Sequence, residues 1–374
     1  MLPYGHQSIS DEDVAAVVAA LRGEWLTTGP RVDEFEAAVS RVTGGHDVIS
    51  CTSGTAALHV AYAALGIGAG DEVVVTPMTF VATASCASML GAKVVFADID
   101  ITTGLIDPRA VDACVSDRTK VVAAVDYAGQ AADYDVLNPI VHRAGAVMLD
   151  DAAHSIGGTY KGRPVGDLAD VTTLSFFPTK NVTTCEGGAV VCQDADVATR
   201  AREFHRVGMV RDPQRFRASI PDPWHQEVHE FGLNYRLNDV MCALGQSQLT
   251  RLPQFKARRT AIRARYLAGL AGVPGLEVIR QMPDTDPAWH LFPVRILDGR
   301  RREVYEALKA VGIASQVNYM PVYWHPAYED LGYQRGLCPQ AEAFSQQELS
   351  LPMFPDLTDA EVDRVVEVVV GVLR

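Results

Sequence analysis

Residues 146–192 read AVMLDDAAHSIGGTYKGRPVGDLADVTTLSFFPTKNVTTCEGGAVVC. Three short apolar runs stand out in this stretch: AVMLDD (Ala146–Asp151), VTTLSFF (Val171–Phe177) and GAVVC (Gly188–Cys192). Each is too short for a typical helix and is bounded by Gly, Pro or polar residues, the pattern of a strand buried on both faces. Towards the N-terminus the pattern recurs in DEVVVTP (Asp71–Pro77), KVVFADID (Lys93–Asp100) and KVVAAVD (Lys120–Asp126). Helical patterns lie between them, over Ala56–Leu65, Val81–Leu90 and Tyr134–Ala144. Such alternation predicts an α/β fold: a mostly parallel sheet with helices on both faces. Ligands in such sheets bind beyond the carboxyl ends of the strands.

Past Arg251 the texture changes. A basic helical run (KARRTAIRARYLAGL) is followed by the strand-like WHLFPVRI (Trp289–Ile296), a Pro- and aromatic-rich loop (Tyr319–Tyr328) and a closing helix over Asp359–Leu373. Two domains are expected, a large α/β domain over 1–250 and a smaller α+β domain over 251–374. The 374 residues, 48% hydrophobic and 21% charged, supply a sizeable core and exclude a disordered or fibrous chain. A net charge of −13 argues against nucleic acid and anionic membrane as partners. It leaves room for a small anion held by local groups. Seven scattered cysteines without a C-x-x-C pair predict neither a disulfide framework nor a metal site. With no signal-like start, the expectation is a cytoplasmic protein.

Three segments carry chemistry. Thr52-Ser53-Gly54-Thr55 opens a helix, where unpaired N–H groups and hydroxyls can cradle a phosphate; taken alone, a plain Ser/Thr cap is the commoner reading of such a segment. Asp150 and Asp151 close a strand at its carboxyl end, facing the expected crevice or else capping the following turn. Lys180, after a buried strand and before a Gly-Gly turn, sits where desolvation could lower its pKa enough for a Schiff base with a carbonyl. A phosphate cradle, a strand-end carboxylate and a loop lysine are together what pyridoxal 5'-phosphate needs. Phe80, in TPMTFVAT, could supply an aromatic face for its ring.

These residues lie within segments that span nearly the whole chain: LTTGPRVDEFE (Leu26–Glu36), TSGTAALH (Thr52–His59), TPMTFVATA (Thr76–Ala84), DDAAHSIGG (Asp150–Gly158), SFFPTKNVTTCEGGAV (Ser175–Val190), FGLNYRLNDVMCALGQSQL (Phe231–Leu249) and LSLPMF (Leu349–Phe354). In them the chain resembles the DegT/DnrJ/EryC1/StrS sugar aminotransferases, which are fold-type-I pyridoxal phosphate enzymes. The resemblance implies Lys180 as the lysine that bonds the cofactor and Asp151 as the partner of its ring nitrogen. Gly54, Thr55 and Ser175 match phosphate contacts, and Phe80 matches the stacking aromatic. His154 and Gln130 fall at positions near the ring oxygen or substrate. Asn234 matches a residue that reaches the phosphate of the partner subunit, so a homodimer with shared active sites is implied. Thr28, Arg236, Tyr323 and His325 are candidates for the substrate pocket.

PYGHQSISDEDVAAVVAAL, PWHQEVHEFGLNYR and WHLFPVRI look most like the branch that serves pseudaminic acid biosynthesis. That likeness implies transfer of an amino group, usually from glutamate, to C4 of a UDP-linked 4-keto-6-deoxy-N-acetylhexosamine. Another nucleotide keto sugar, or a cyclitol, is the alternative substrate, and a non-catalytic protein on this fold the remoter one. Three departures bear on the sugar: Val207 stands where the family commonly has histidine, the loop Asp126–Gln130 lacks a histidine found in many relatives, and Phe177 replaces a frequent histidine.

Overall fold

A computed structural model of the chain describes residues 1–219 and 222–374. Seven strands form the central sheet: β1 (Asp47–Cys51), β2 (Glu72–Val75), β3 (Lys93–Phe96), β4 (Thr119–Val125), β5 (Val147–Asp151), β6 (Val171–Ser175) and β7 (Gly188–Cys192). Their spatial order is β1-β7-β6-β5-β4-β2-β3. All run parallel except β7, which is antiparallel to both neighbours. This is the α/β architecture expected from the alternating pattern. The β-branched centres of these strands (Val73, Val74, Val121, Val122, Val190, Val191) are buried on both faces, so they read as continuous apolar runs. Several runs end sooner than the sequence suggests, β2 at Val75, β3 at Phe96 and β6 at Ser175 among them, and β1 escapes notice because its core is only Val48–Cys51.

Register brings the carboxyl ends together. Asp151 pairs with Thr173, Ser175 with Gly188, and Gly188 with Cys51. A Cβ at Gly188 would lie 2.4 Å from the Ser53 carbonyl oxygen, which is why only glycine fits where the edge strand turns into the helix Gly54–Ala64.

Two apolar cores are present. The first fills both faces of the large sheet and also takes in Tyr323, Tyr328 and Phe344 from beyond residue 250. The second lies around an antiparallel three-stranded sheet of β10 (Leu276–Val278), β11 (Phe292–Ile296) and β12 (Glu348–Leu351), numbered after the hairpin β8 (Met209–Val210) and β9 (Glu227–Val228). It includes Ile262 and Tyr266 of the helix Leu252–Gly269, Val362 and Val365 of the closing helix, and Leu2 from the other end of the chain. Leu2 N–H donates to Gly312 O and Leu2 O accepts from Ala314 N–H, so the N-terminal residues strap this second core. All seven cysteines are free thiols; five are buried, whereas Cys185 is exposed. Among the described residues no helix is long and apolar enough to cross a membrane.

Candidate active site

A cavity of about 580 Å³ opens beyond the carboxyl ends of β5 and β6. Gly54, Thr55, Phe80, Asp151, His154, Ser175 and Lys180 all line it, although they are drawn from separate stretches of the chain. Ser53 caps the helix Gly54–Ala64, its Oγ accepting from Ala56 N–H at 3.0 Å. Cap and cradle therefore coexist: Ser53 serves the helix, while the first-turn residues Gly54 and Thr55 border the cavity with amides that the helix cannot satisfy. A Cβ at Gly54 would come within 2.9 Å of Ser175 Cβ and 3.0 Å of its Oγ. Only glycine leaves that space for an anion's oxygens.

Asp151 is buried at the end of β5. Its Oδ2 accepts from Thr83 Oγ1 at 2.6 Å and its Oδ1 from Ala153 N–H at 3.2 Å. Burial pushes its carboxyl above the ordinary range, against the opposing pull of those two bonds and of the Lys180 charge. Lys180 enters from a turn in which its N–H donates to Phe177 O at 2.9 Å. Burial lowers its ammonium to about 8, and the charge of Asp151 works in the other direction. The neighbouring Asn181 anchors the turn by donating from Nδ2 to Ala288 O (2.7 Å) and His154 O (3.2 Å). Asp150, by strand alternation, faces away from this cavity; burial and then Asp126 push its carboxyl well up.

Other expected residues are placed elsewhere. Gln130 is fully buried and fully used: Nε2 donates to Arg280 O at 3.2 Å and Oε1 accepts from Met282 N–H at 3.0 Å. It ties the loop after β4 to the segment before β11 and does not line the cavity, which corrects its expected place beside the cofactor. Tyr323 is corrected too. Its ring packs 5.2 Å from that of Phe96 and its hydroxyl donates to Glu342 at 2.7 Å. His325 precedes the short helix Pro326–Glu329, away from the cavity, so it also leaves the candidate pocket.

Thr28 and Arg236 border a second cleft, of about 980 Å³, with Arg202, Arg206 and Arg211. Arg202 pairs with Glu36 at 3.0 Å, but Arg206, Arg211 and Arg236 have no carboxylate partner among the described residues. Burial and then the neighbouring cations hold Arg206 below its ordinary value, against Glu36. Thr28 (φ 56°) and Val207 (φ 62°) adopt left-handed backbone beside it, a strain such residues rarely carry. Asn234 is exposed and lines neither cleft of its own chain.

The cavity also holds residues that motif reading passed over: Tyr4, Thr83, His290 and Tyr319. Tyr319 lies in the aromatic loop and His290 in the strand-like WHLF run, where nothing local marks either as facing a site. Tyr4 and Thr83 reach it only through tertiary packing.

A model of the DegT/DnrJ/EryC1/StrS aminotransferase family matches residues 7–370. The chain belongs to this family. It is a sugar aminotransferase dependent on pyridoxal phosphate. Among family relatives, the spore coat polysaccharide biosynthesis protein SpsC of Bacillus subtilis is 36% identical over 379 residues, covering 100% of this chain and 97% of that one. Spr1654 of Streptococcus pneumoniae, assigned as a sugar aminotransferase, superposes in its pyridoxamine phosphate form with a TM-score of 0.93 at 31% identity, covering 100% of this chain and 99% of the other. The same protein is also solved in its pyridoxal phosphate form. PseC of Helicobacter pylori, an aminotransferase of pseudaminic acid biosynthesis, gives 0.93 at 29% identity, with 100% and 99% covered. The aminotransferase's cavity fits the family cofactor on its own geometry, because the space kept open at Gly54 suits a phosphate and the buried Asp151 suits a protonated ring nitrogen.

Proposed function

We propose that this aminotransferase moves an amino group from glutamate to C4 of a UDP-linked 4-keto-6-deoxy-N-acetylhexosamine. The observation that carries the site reading is the meeting of Lys180 and Asp151 in one cavity with the Gly54–Ser175 cradle. Pyridoxal phosphate, when bound, supplies an aldehyde for the amino group and a ring that stores electrons. Gly54, Thr55 and Ser175 would hold its phosphate, Phe80 would cover the ring and Asp151 would face the ring nitrogen. Lys180, with an amine that is largely neutral above about pH 8, is suited first to bond the aldehyde and then to carry a proton as general base. His154 stands ready as a neutral donor or acceptor beside them.

For the substrate, the three arginines without carboxylate partners beside Thr28 support a diphosphate-bearing ligand. Exposed Trp224 (78%) and Phe231 (97%), on the segment that leads to Asn234, support a homodimer whose partner completes the site. We read the first core as the cofactor-binding domain and the second as a smaller domain closing the cleft. A second reading, transfer to another nucleotide 4-keto or 3-keto sugar or to a cyclitol, is favoured by the higher identity to SpsC than to PseC.

A panel of UDP-, dTDP- and GDP-4-keto sugars with glutamate, scored by product mass and stereochemistry, tests the sugar. Equal turnover across nucleotides would remove the UDP reading. Lys180→Ala should abolish both turnover and the absorbance of bound cofactor.

A further inference from the structure

His154 is fully enclosed, and burial, then the Lys180 charge, holds its imidazole well below the ordinary pKa, so the ring is neutral. A neutral imidazole has one donor and one acceptor nitrogen. Which nitrogen carries the proton is set by the partner of the other. His154 Nε2 lies 3.2 Å from the Tyr319 hydroxyl, the two rings stacked at 19°. Among the described residues that hydroxyl has no other hydrogen-bond partner, and burial keeps it protonated by raising its pKa well above 10. Among the described residues Nε2 is the one acceptor within reach of the phenol's proton, and with the phenol as donor it is the Nε2 lone pair that takes it. The imidazole proton then sits on Nδ1. That atom is buried without a protein partner, in a residue lining the Lys180 cavity. A buried N–H with nothing to donate to is costly, and an incoming oxygen relieves it.

Tyr319 is held from behind through the backbone N–H, the carbonyl and the side-chain NH2 of its neighbour Asn318. Asn318 N–H donates to Glu348 Oε2 at 2.6 Å, and Asn318 O accepts from Tyr127 OH at 2.6 Å. Asn318 Nδ2 donates to Tyr4 OH (2.6 Å) and Ser350 Oγ (3.1 Å). Ser350 Oγ in turn donates to Glu348 Oε1 at 2.6 Å. Glu348 is completely buried at the start of β12, in the second core's sheet, so that sheet reaches the cavity's aromatic loop through Glu348 and Ser350.

We propose that Tyr319 is a positioning residue of amino transfer: its hydroxyl selects the Nδ1–H tautomer of His154, so that the imidazole donates to an anionic oxygen bound in the Lys180 cavity, and Glu348 holds Tyr319 in place through Asn318. The inference rests on that cavity being the cofactor site, a reading that Lys180→Ala tests separately through loss of cofactor absorbance. The tautomer itself is read without activity, by long-range 1H–15N spectra of the full chain labelled with 15N-histidine, cofactor-free and cofactor-bound. His154→Gln identifies the His154 signal. The expected wild-type signal has a protonated Nδ1 and a bare Nε2. Tyr319→Phe should shift population to the Nε2–H form and lower kcat about tenfold, with KM for both substrates within about twofold, as outer partners of site histidines do elsewhere. Glu348→Gln keeps an acceptor for Asn318 N–H and should stay near wild type, whereas Glu348→Ala should follow Tyr319→Phe. Should Glu348→Ala fail to fold, Tyr319→Phe and Glu348→Gln still carry the test. A wild-type His154 protonated on Nε2, or a tautomer unchanged in Tyr319→Phe, would overturn the proposal.

Discussion

Thr83 Oγ1 donates to Asp151 Oδ2 across 2.6 Å, joining two residues 68 positions apart in the chain. Thr79 lies 2.7 Å from the same threonine hydroxyl, so the carboxylate's orientation is set from the helix Ala82–Met89 and the turn before it. This bond opposes the upward push of burial on the Asp151 pKa. Thr83→Val preserves shape and removes it. The Asp151 carboxyl should then move further up and ionise less readily beside the ring nitrogen. A lost hydrogen bond to a charged group is about 1.5–3 kcal/mol, so kcat/KM should fall about ten- to hundredfold with the fold intact by circular dichroism. Unchanged kinetics would show that Asp151 is held by its Ala153 contact alone.

Lys180 should be the fastest-reacting lysine in the cofactor-free protein. Its ammonium titrates near 8, so its neutral fraction rises with pH through that value, while surface lysines remain charged until about pH 10. Acylation followed by mass spectrometry at several pH values should give a Lys180 rate with a midpoint near 8. A midpoint near 10 would contradict the desolvated environment.

Gly54→Ala and Gly188→Ala should fail in different ways. The added Cβ at Gly54 meets Ser175 Cβ at 2.9 Å, a contact that shifts the cradle itself, so the chain should fold while cofactor affinity drops about tenfold. At Gly188 it meets the Ser53 carbonyl oxygen at 2.4 Å, where backbone must move. Overpacking of that kind costs about 1–3 kcal/mol, read as a lower midpoint in urea.

Gln130→Ala separates architecture from chemistry. It leaves the Met282 N–H without its acceptor, a loss of about 1–3 kcal/mol in stability. Cofactor absorbance and KM should be unchanged once the protein is folded. Selective loss of cofactor would restore Gln130 to the site.

Stability of the cofactor-free chain should fall as pH rises from about 5 to 8. Burial raises Glu348 to about 8, so the folded state holds a proton that the unfolded chain releases at its ordinary, lower pKa. With more protons bound in the folded state, the slope of unfolding free energy against pH is negative. The contribution is complete below the unfolded value and is lost as pH climbs through about 8. Glu348→Gln should flatten that part of a melting-temperature profile, and an equally steep profile would assign the slope to other groups.

By itself the sequence determined the layers and the chemistry-bearing types. Runs such as Val171–Ser175 and Gly188–Cys192 are apolar throughout because both faces of a central strand are covered, and that pattern is local. Gly54, Asp151, Ser175 and Lys180 could be singled out because each stands at a strand end or helix start, where parallel sheets place ligands. Only the tertiary structure decided which side chains close the cavity. Tyr4, Thr83, His290 and Tyr319 arrive there through contacts between distant segments, which no local pattern records. The same cause removed Gln130 and Tyr323: each carries a polar group well suited to a ligand, but the fold offers Arg280, Met282 and Glu342 as nearer partners. A buried polar group takes the partner that packing puts within reach, and packing is settled by the whole chain.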